Sequence, residues 1–194
     1  MLRVKQTVAP TVEPVALARM KNHLRVDEDM TDDDDFIAAL IGAAREYIEG
    51  ATRRALITQT WRLSLAGWPD GDEIELPKPP LQSVTSVVYT DADGNATEWD
   101  SAEYLVDTDS EPGRVVLANG YGWPGVTLRS MNPIQITYVA GYGDDGSAVP
   151  KIYQHAIKLL VGHWYENREA TVAGTIAREI PLAVESLIWL ERVF

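Results

Sequence analysis

FIAALIGAAREYIEGATRRALITQTWRLSL, residues 36–65, changes its period halfway along, and that change decides the fold. In the first half, Phe36, Ile37, Leu40, Ile41, Ala44, Tyr47 and Ile48 recur at the spacing that places them on one face of a helix. The pattern predicts a helix that fades near Thr52. From Ile57 the period becomes two: Ile57, Gln59, Trp61, Leu63 and Leu65 alternate with Thr58, Thr60, Arg62 and Ser64. That alternation predicts a half-buried strand.

Beyond this point further strands are expected over residues 73–76, 83–90, 96–99, 104–107, 114–117 and 134–140. Turn chemistry separates them, with Pro69-Asp70-Gly71, Asp91 to Asn95, Pro112-Gly113 and Gly141-Tyr142-Gly143. Residues 119–132 carry Gly and Trp without a period and read as a long loop. No further strand is read before residue 57. A short helix is expected over residues 14–24, with Leu17, Met20 and Leu24 on one side. Seven acids fall within residues 27–35. Asp32 to Asp35 directly precede the apolar run, where carboxylates favour the positive end of a helix. Pro150 is well placed to open a helix over residues 151–169, and a last helix is expected from Pro181. The fold class is therefore α+β: a helical core from the N- and C-terminal segments with an inserted antiparallel β region. The divisions are 1–56 (helical), 57–146 (acidic β region) and 147–194 (helical).

The helix over residues 151–169 is unusually apolar. Ile152, Tyr153, Ala156, Ile157, Leu159, Leu160, Val161 and Trp164 fill an arc of roughly 200°, where a surface helix needs little more than about 100°. Either more of this chain or a neighbouring subunit has to cover the excess.

The chain has 194 residues, 45% hydrophobic and 24% charged, enough for a real core. It has no cysteine, which excludes disulfides, thiolate nucleophiles and cysteine-ligated metal sites. No apolar leader opens the sequence and no apolar run reaches the about 18 residues of a membrane span, so a soluble chain made inside the cell is expected. The net charge is −12, with −11 carried by residues 66–146, while residues 147–194 balance. The basic footprint of a tight DNA binder is missing.

The sites that would mark an enzyme are weak. The acidic run lacks the Gly and the spacing of a calcium loop and reads as a solvated helix-capping stretch. His23, His155 and His163 form no HExxH pattern, and no GxSxG or phosphate-cradling glycine loop occurs. An enzyme reading would need a metal-dependent hydrolase built from His163, Glu166 and the carboxylates of residues 27–35. The six tryptophans are spread along the sequence rather than grouped into a stacking platform, which suits core and interface anchoring.

HLRV (residues 23–26), IAALIGAAREYIEGATRRALITQTW (37–61), LPKPPLQSVTSVVY (76–89), VAGYGD (139–144) and LLVGHWYENRE (159–169) together resemble, in order and spacing, the head–tail connector proteins of tailed phages. These are the adaptor or head-completion class, and the resemblance runs from about Val15 to Val193. It implies a structural virion protein at the head–tail interface, assembled in the host cytoplasm. Such proteins form a ring, commonly of twelve, below the portal protein, extending the DNA channel and joining capsid to tail. DNA passes through without specific binding, and no catalytic residue, cofactor, metal or membrane is implied. A tail-completion or terminator protein is the expected tail-side neighbour, and the same class is the alternative identity. Within this picture the interface candidates are Trp164, Tyr165, Arg168, Leu187, Trp189 and Phe194.

Overall fold

A computed structural model describes residues 3–167 and 182–190. The chain divides into two compact units: Met1–Pro10 with Thr58–Gly141, and Thr11–Ile57 with Tyr142–Phe194. The first is built of strands and the second of helices, an α+β protein as the two periods predict.

The β unit contains β1 (Arg3–Val8), β2 (Gln59–Leu65), β3 (Glu73–Leu76), β4 (Leu81–Thr90), β5 (Ala96–Glu98), β6 (Tyr104–Asp107), β7 (Gly113–Leu117) and β8 (Ile134–Ala140). One sheet has the order β1-β2-β8-β4-β5 and a smaller one β3-β7-β6, with every ladder antiparallel. The alternation of β2 and β8 sends Leu63, Ile136 and Tyr138 to a buried side, with Leu76 and Val115 buried in the smaller sheet. Gly113 lets the sheets approach: a Cβ there would lie 2.5 Å from that of Leu81. The buried Tyr138 hydroxyl donates to the Pro77 carbonyl at 2.7 Å, and burial pushes its phenol well above the ordinary range.

Strand β1 is a departure from the sequence pattern, which puts residues 1–56 among the helices. RVKQTV has few apolar positions, and as an edge strand it needs few. Its pairing with β2 comes from backbone hydrogen bonds, and most of its side chains stay exposed. Residues 1–10 therefore belong with the strands.

In the smaller sheet one basic side chain ties three strands. Arg114 on β7 donates to Asp107 on β6 at 2.9 Å and to Glu73 on β3 at 2.8 Å. Asp107 also accepts from the Ser110 hydroxyl at 2.7 Å and from the amides of Asp109 and Ser110. The Ser110 hydroxyl, followed by the Arg114 guanidinium, holds this carboxyl well below the usual carboxylate range.

The helical unit contains α1 (Leu17–Leu24), α2 (Asp34–Thr52), α3 (Lys151–Glu166) and α4 (Leu182–Leu190). Helix α1 ends on Arg25 in the left-handed region, φ +59°, and the Val26 amide reaches back to the Lys21 carbonyl at 3.0 Å. Helix α2 starts after Asp33 with Asp34 and Asp35 in its first turn, where the acidic run was expected to sit. The oversized arc of α3 is covered mainly by this chain. Tyr153, Ala156, Ile157, Leu160 and Val161 are buried, and Ile152, Leu159 and Trp164 pack half-buried on the same core. Helices α1, α2 and α4 all contact α3.

Inside this unit, Arg45 is 8% exposed and donates to Glu13 at 2.9 Å and to Glu49, 6% exposed, at 3.0 Å. The other Glu49 oxygen accepts the Leu56 amide at 2.8 Å. Burial pushes the Glu13 carboxyl up, against the lowering pull of Arg45.

Two outcomes are expected. Arg45→Ala breaks the buried ion pair to Glu49 and should cost about 3–5 kcal/mol of stability in urea unfolding, whereas exposed Glu46→Ala should cost less than about 1 kcal/mol. For Asp107, a depressed folded pKa gives stability that is present above the unfolded value of about 4 and lost as pH falls through the lower folded value. Asp107→Asn should thus lower the melting temperature at neutral pH, with the deficit shrinking below about pH 4; melting curves across that range check it.

Candidate assembly surfaces

The expected interface residues on α3 and α4 separate into two groups. Trp164 and Leu187 lie half-buried against the core of their own unit. Tyr165 does too: its hydroxyl donates to Asp33 at 2.6 Å and its ring lies 6.2 Å from that of Phe36. These three serve the subunit's own packing first. Trp189 is different, 69% exposed at the end of α4. Arg168 and Phe194 lie outside the described residues.

Sequence reasoning missed Leu182, which is 82% exposed at the start of α4. With Glu185, Ser186 and Trp189 it lines a shallow depression on the helix surface. The opposite side of α4 buries Val184 and Ile188, and Glu185 adds to burial in pushing up the Tyr47 hydroxyl on α2. The seven apolar residues in LAVESLIWL give the sequence signal: a short helix apolar all round has one face too many for a single core.

The acidic run is organised by a lysine rather than by an open cage. Lys21 is 3% exposed on α1, and its ammonium donates to the Glu28 carbonyl at 2.9 Å and the Met30 carbonyl at 2.7 Å. The same group pairs with Asp34 at 2.8 Å. Two carbonyls and a carboxylate around one positive centre fold the loop back on α1. His163 has its Nδ1 3.4 Å from the Asn167 amide nitrogen, while His155 and Glu166 are exposed. Among the described residues, no three His, Asp or Glu side chains converge as a metal site would require. Of the carboxylates in this run, Asp33 accepts from Tyr165 and Asp34 pairs with Lys21.

In the β unit the tryptophans are not scattered. Trp68 and Trp123 stack at 5.0 Å with 9° between planes, and Trp99 lies 5.5 Å and 5.4 Å from them. Tyr89 and Tyr104 extend the cluster. The Trp123 indole donates to the Gly71 carbonyl at 2.8 Å, and that of Trp99 to Glu103 at 2.6 Å. Trp123 thereby pins the long loop to the turn after β2. No periodicity could reveal this, because only the strand order brings the three positions together.

The family model described as phage gp6-like head-tail connector protein matches residues 14–111. No curated protein matches the chain. Among solved structures, a chain in the neck of an empty GTA particle, computed with C6 symmetry, superposes with a TM-score of 0.81 at 29% identity, covering 99% of this chain and 96% of that one. A chain of the native gene transfer agent virion gives 0.79 at 28% identity, covering 98% and 95%. One in the neck of the native GTA particle, computed with C12 symmetry, gives 0.76 at 29% identity, covering 100% and 96%. The match spans both units, so it concerns the whole chain and not one module. This chain belongs to the phage gp6-like head-tail connector protein family.

Proposed function

We propose that this connector is a subunit of a ring that lies between portal and tail and lines the path of the DNA. The observation that carries this reading is the near-complete superposition on a neck protein of the gene transfer agent particle. Those necks are described in C6 and in C12 symmetry. A ring of twelve obeys both symmetries and a ring of six only one, which favours twelve. A head-to-tail ring uses two different patches per subunit. The outer face of α4, with Leu182 and Trp189, is one candidate patch. The portal protein and a tail-completion or terminator protein are the neighbours such a ring would meet. Its acidic balance of −12 per chain suits a conduit, because it repels phosphates rather than holding them. The role calls for no cofactor and no catalytic residue.

Light scattering across a concentration range tests the ring. The expected species has about twelve times the subunit mass of 21.5 kDa, alone or on purified heads. A chain that stays monomeric alone and fails to bind heads would overturn the proposal. Trp189→Ser should leave subunit stability within about 0.5 kcal/mol, as for other exposed sites. It should weaken assembly by more than about 1 kcal/mol if the tryptophan anchors the contact; thermal melting and scattering separate the two effects.

A further inference from the structure

The β unit carries twelve acids and six bases over residues 1–10 and 58–141. Three of the bases are engaged within it. Arg114 bridges Asp107 and Glu73, Lys78 lies 5.4 Å over the Trp61 ring, and Arg129 donates to the Asn132 carbonyl at 2.9 Å. The other three, Arg3, Lys5 and Arg62, come together on one face of the larger sheet. Lys5 on β1 stands directly opposite Arg62 on β2, and Arg3 stands opposite Ser64, one step along the same face. On the far side of β2 the partners are neutral, Thr137 beside Arg62 and Gln135 beside Ser64. Among the described residues, no acid pairs with any of the three.

Like charges directly opposite across a ladder destabilise it. A lysine on an edge strand is a familiar guard against unwanted pairing, which would account for Lys5. It does not account for Arg62, which sits on an interior strand between β1 and β8. Among the described residues, nothing within the subunit offsets this pairing of like charges.

We infer that Arg3, Lys5 and Arg62 form the basic half of a subunit–subunit contact, and that the acidic surface of a second copy of this chain is its occupant. This rests on the ring reading above and names one of its two patches. Charge complementarity carries the choice. A chain of net −12 repels its own copies unless opposite charges meet locally, and this cluster is a concentrated positive patch within a unit that has two acids for each base. Duplex DNA is the weaker candidate, because three cations in a unit with twice as many acids as bases make a poor phosphate footprint.

The test uses the full chain and the variants Lys5→Glu and Arg62→Gln, with association followed by light scattering and by retention on purified heads. Lys5→Glu places a carboxylate opposite Arg62, so the isolated subunit should melt at the same temperature or higher. Its association should nevertheless weaken by about tenfold or more, and Arg62→Gln should weaken it likewise. Wild-type association should fall as salt is raised. Rings that form equally well with either variant would overturn the contact and leave the ring reading standing. A wild-type chain that neither self-associates nor binds heads would remove the ring reading itself, and the contact with it. Binding of a fluorescent duplex probe that both variants abolish would assign the patch to DNA and overturn the proposal.

Discussion

The helical unit depends on one buried guanidinium. Arg45 sits on α2 between Glu13, from the segment before α1, and Glu49, one turn further along α2. Glu49 in turn holds the Leu56 amide, and the Leu56 carbonyl accepts the Tyr142 amide at 3.3 Å. The chain leaves for the strands just after Leu56 and comes back at Tyr142. A single network therefore fixes the point of departure, the point of return and the lead into α1. Arg54 adds a contact to the Tyr142 hydroxyl at 3.4 Å, and the Tyr142 ring lies 5.9 Å from that of Tyr153 on α3. Removing the charge from Arg45 would do more than lose two bonds: it would take from the buried Glu49 carboxylate the guanidinium that offsets its desolvation.

Much of the architecture is legible because burial imposes a period. Strands β3, β6 and β8 start and stop where the alternation and the turn residues place them. The face of α2 predicted from residues 36–48 supplies Ile37, Ile41, Ala44 and Ile48 to the core. What escapes the pattern is whatever depends on partners distant in sequence. Strand β1 is held by backbone pairing and carries no apolar face to betray it. The cluster of Trp68, Trp99 and Trp123 exists only once the strand order is known. The spacing of Arg45 and Glu49 is visible as an i,i+4 pair, but an exposed pair of that kind contributes little. Its weight comes from burial, which the pair's own residues do not reveal. Lys21 is similar: nothing local shows that its ammonium closes the acidic stretch after α1.

The candidate surfaces were legible in kind but only partly in detail. The apolar excess of α3 signals that something must cover it, and the cover proves to be mainly α1, α2 and α4. That moves the surplus outward by one layer. Trp164, Tyr165 and Leu187 then belong to the subunit's own packing, and the exposed apolar surface passes to α4.

Helix α4 is where that accounting ends. It has seven apolar residues in nine, and among its described side chains Val184 and Ile188 are buried and Leu187 half-buried. Leu182 and Trp189 stay open. A basic patch on β1 and β2 and an apolar patch on α4 impose different requirements on a neighbour. The first attracts at a distance and weakens with salt, whereas the second acts only on contact and does not. In the proposed ring the two would act in turn: opposite charge to bring like-charged subunits into register, and apolar area to hold them once there. Neither patch belongs to the buried core, so each can be altered without unfolding the subunit that carries it.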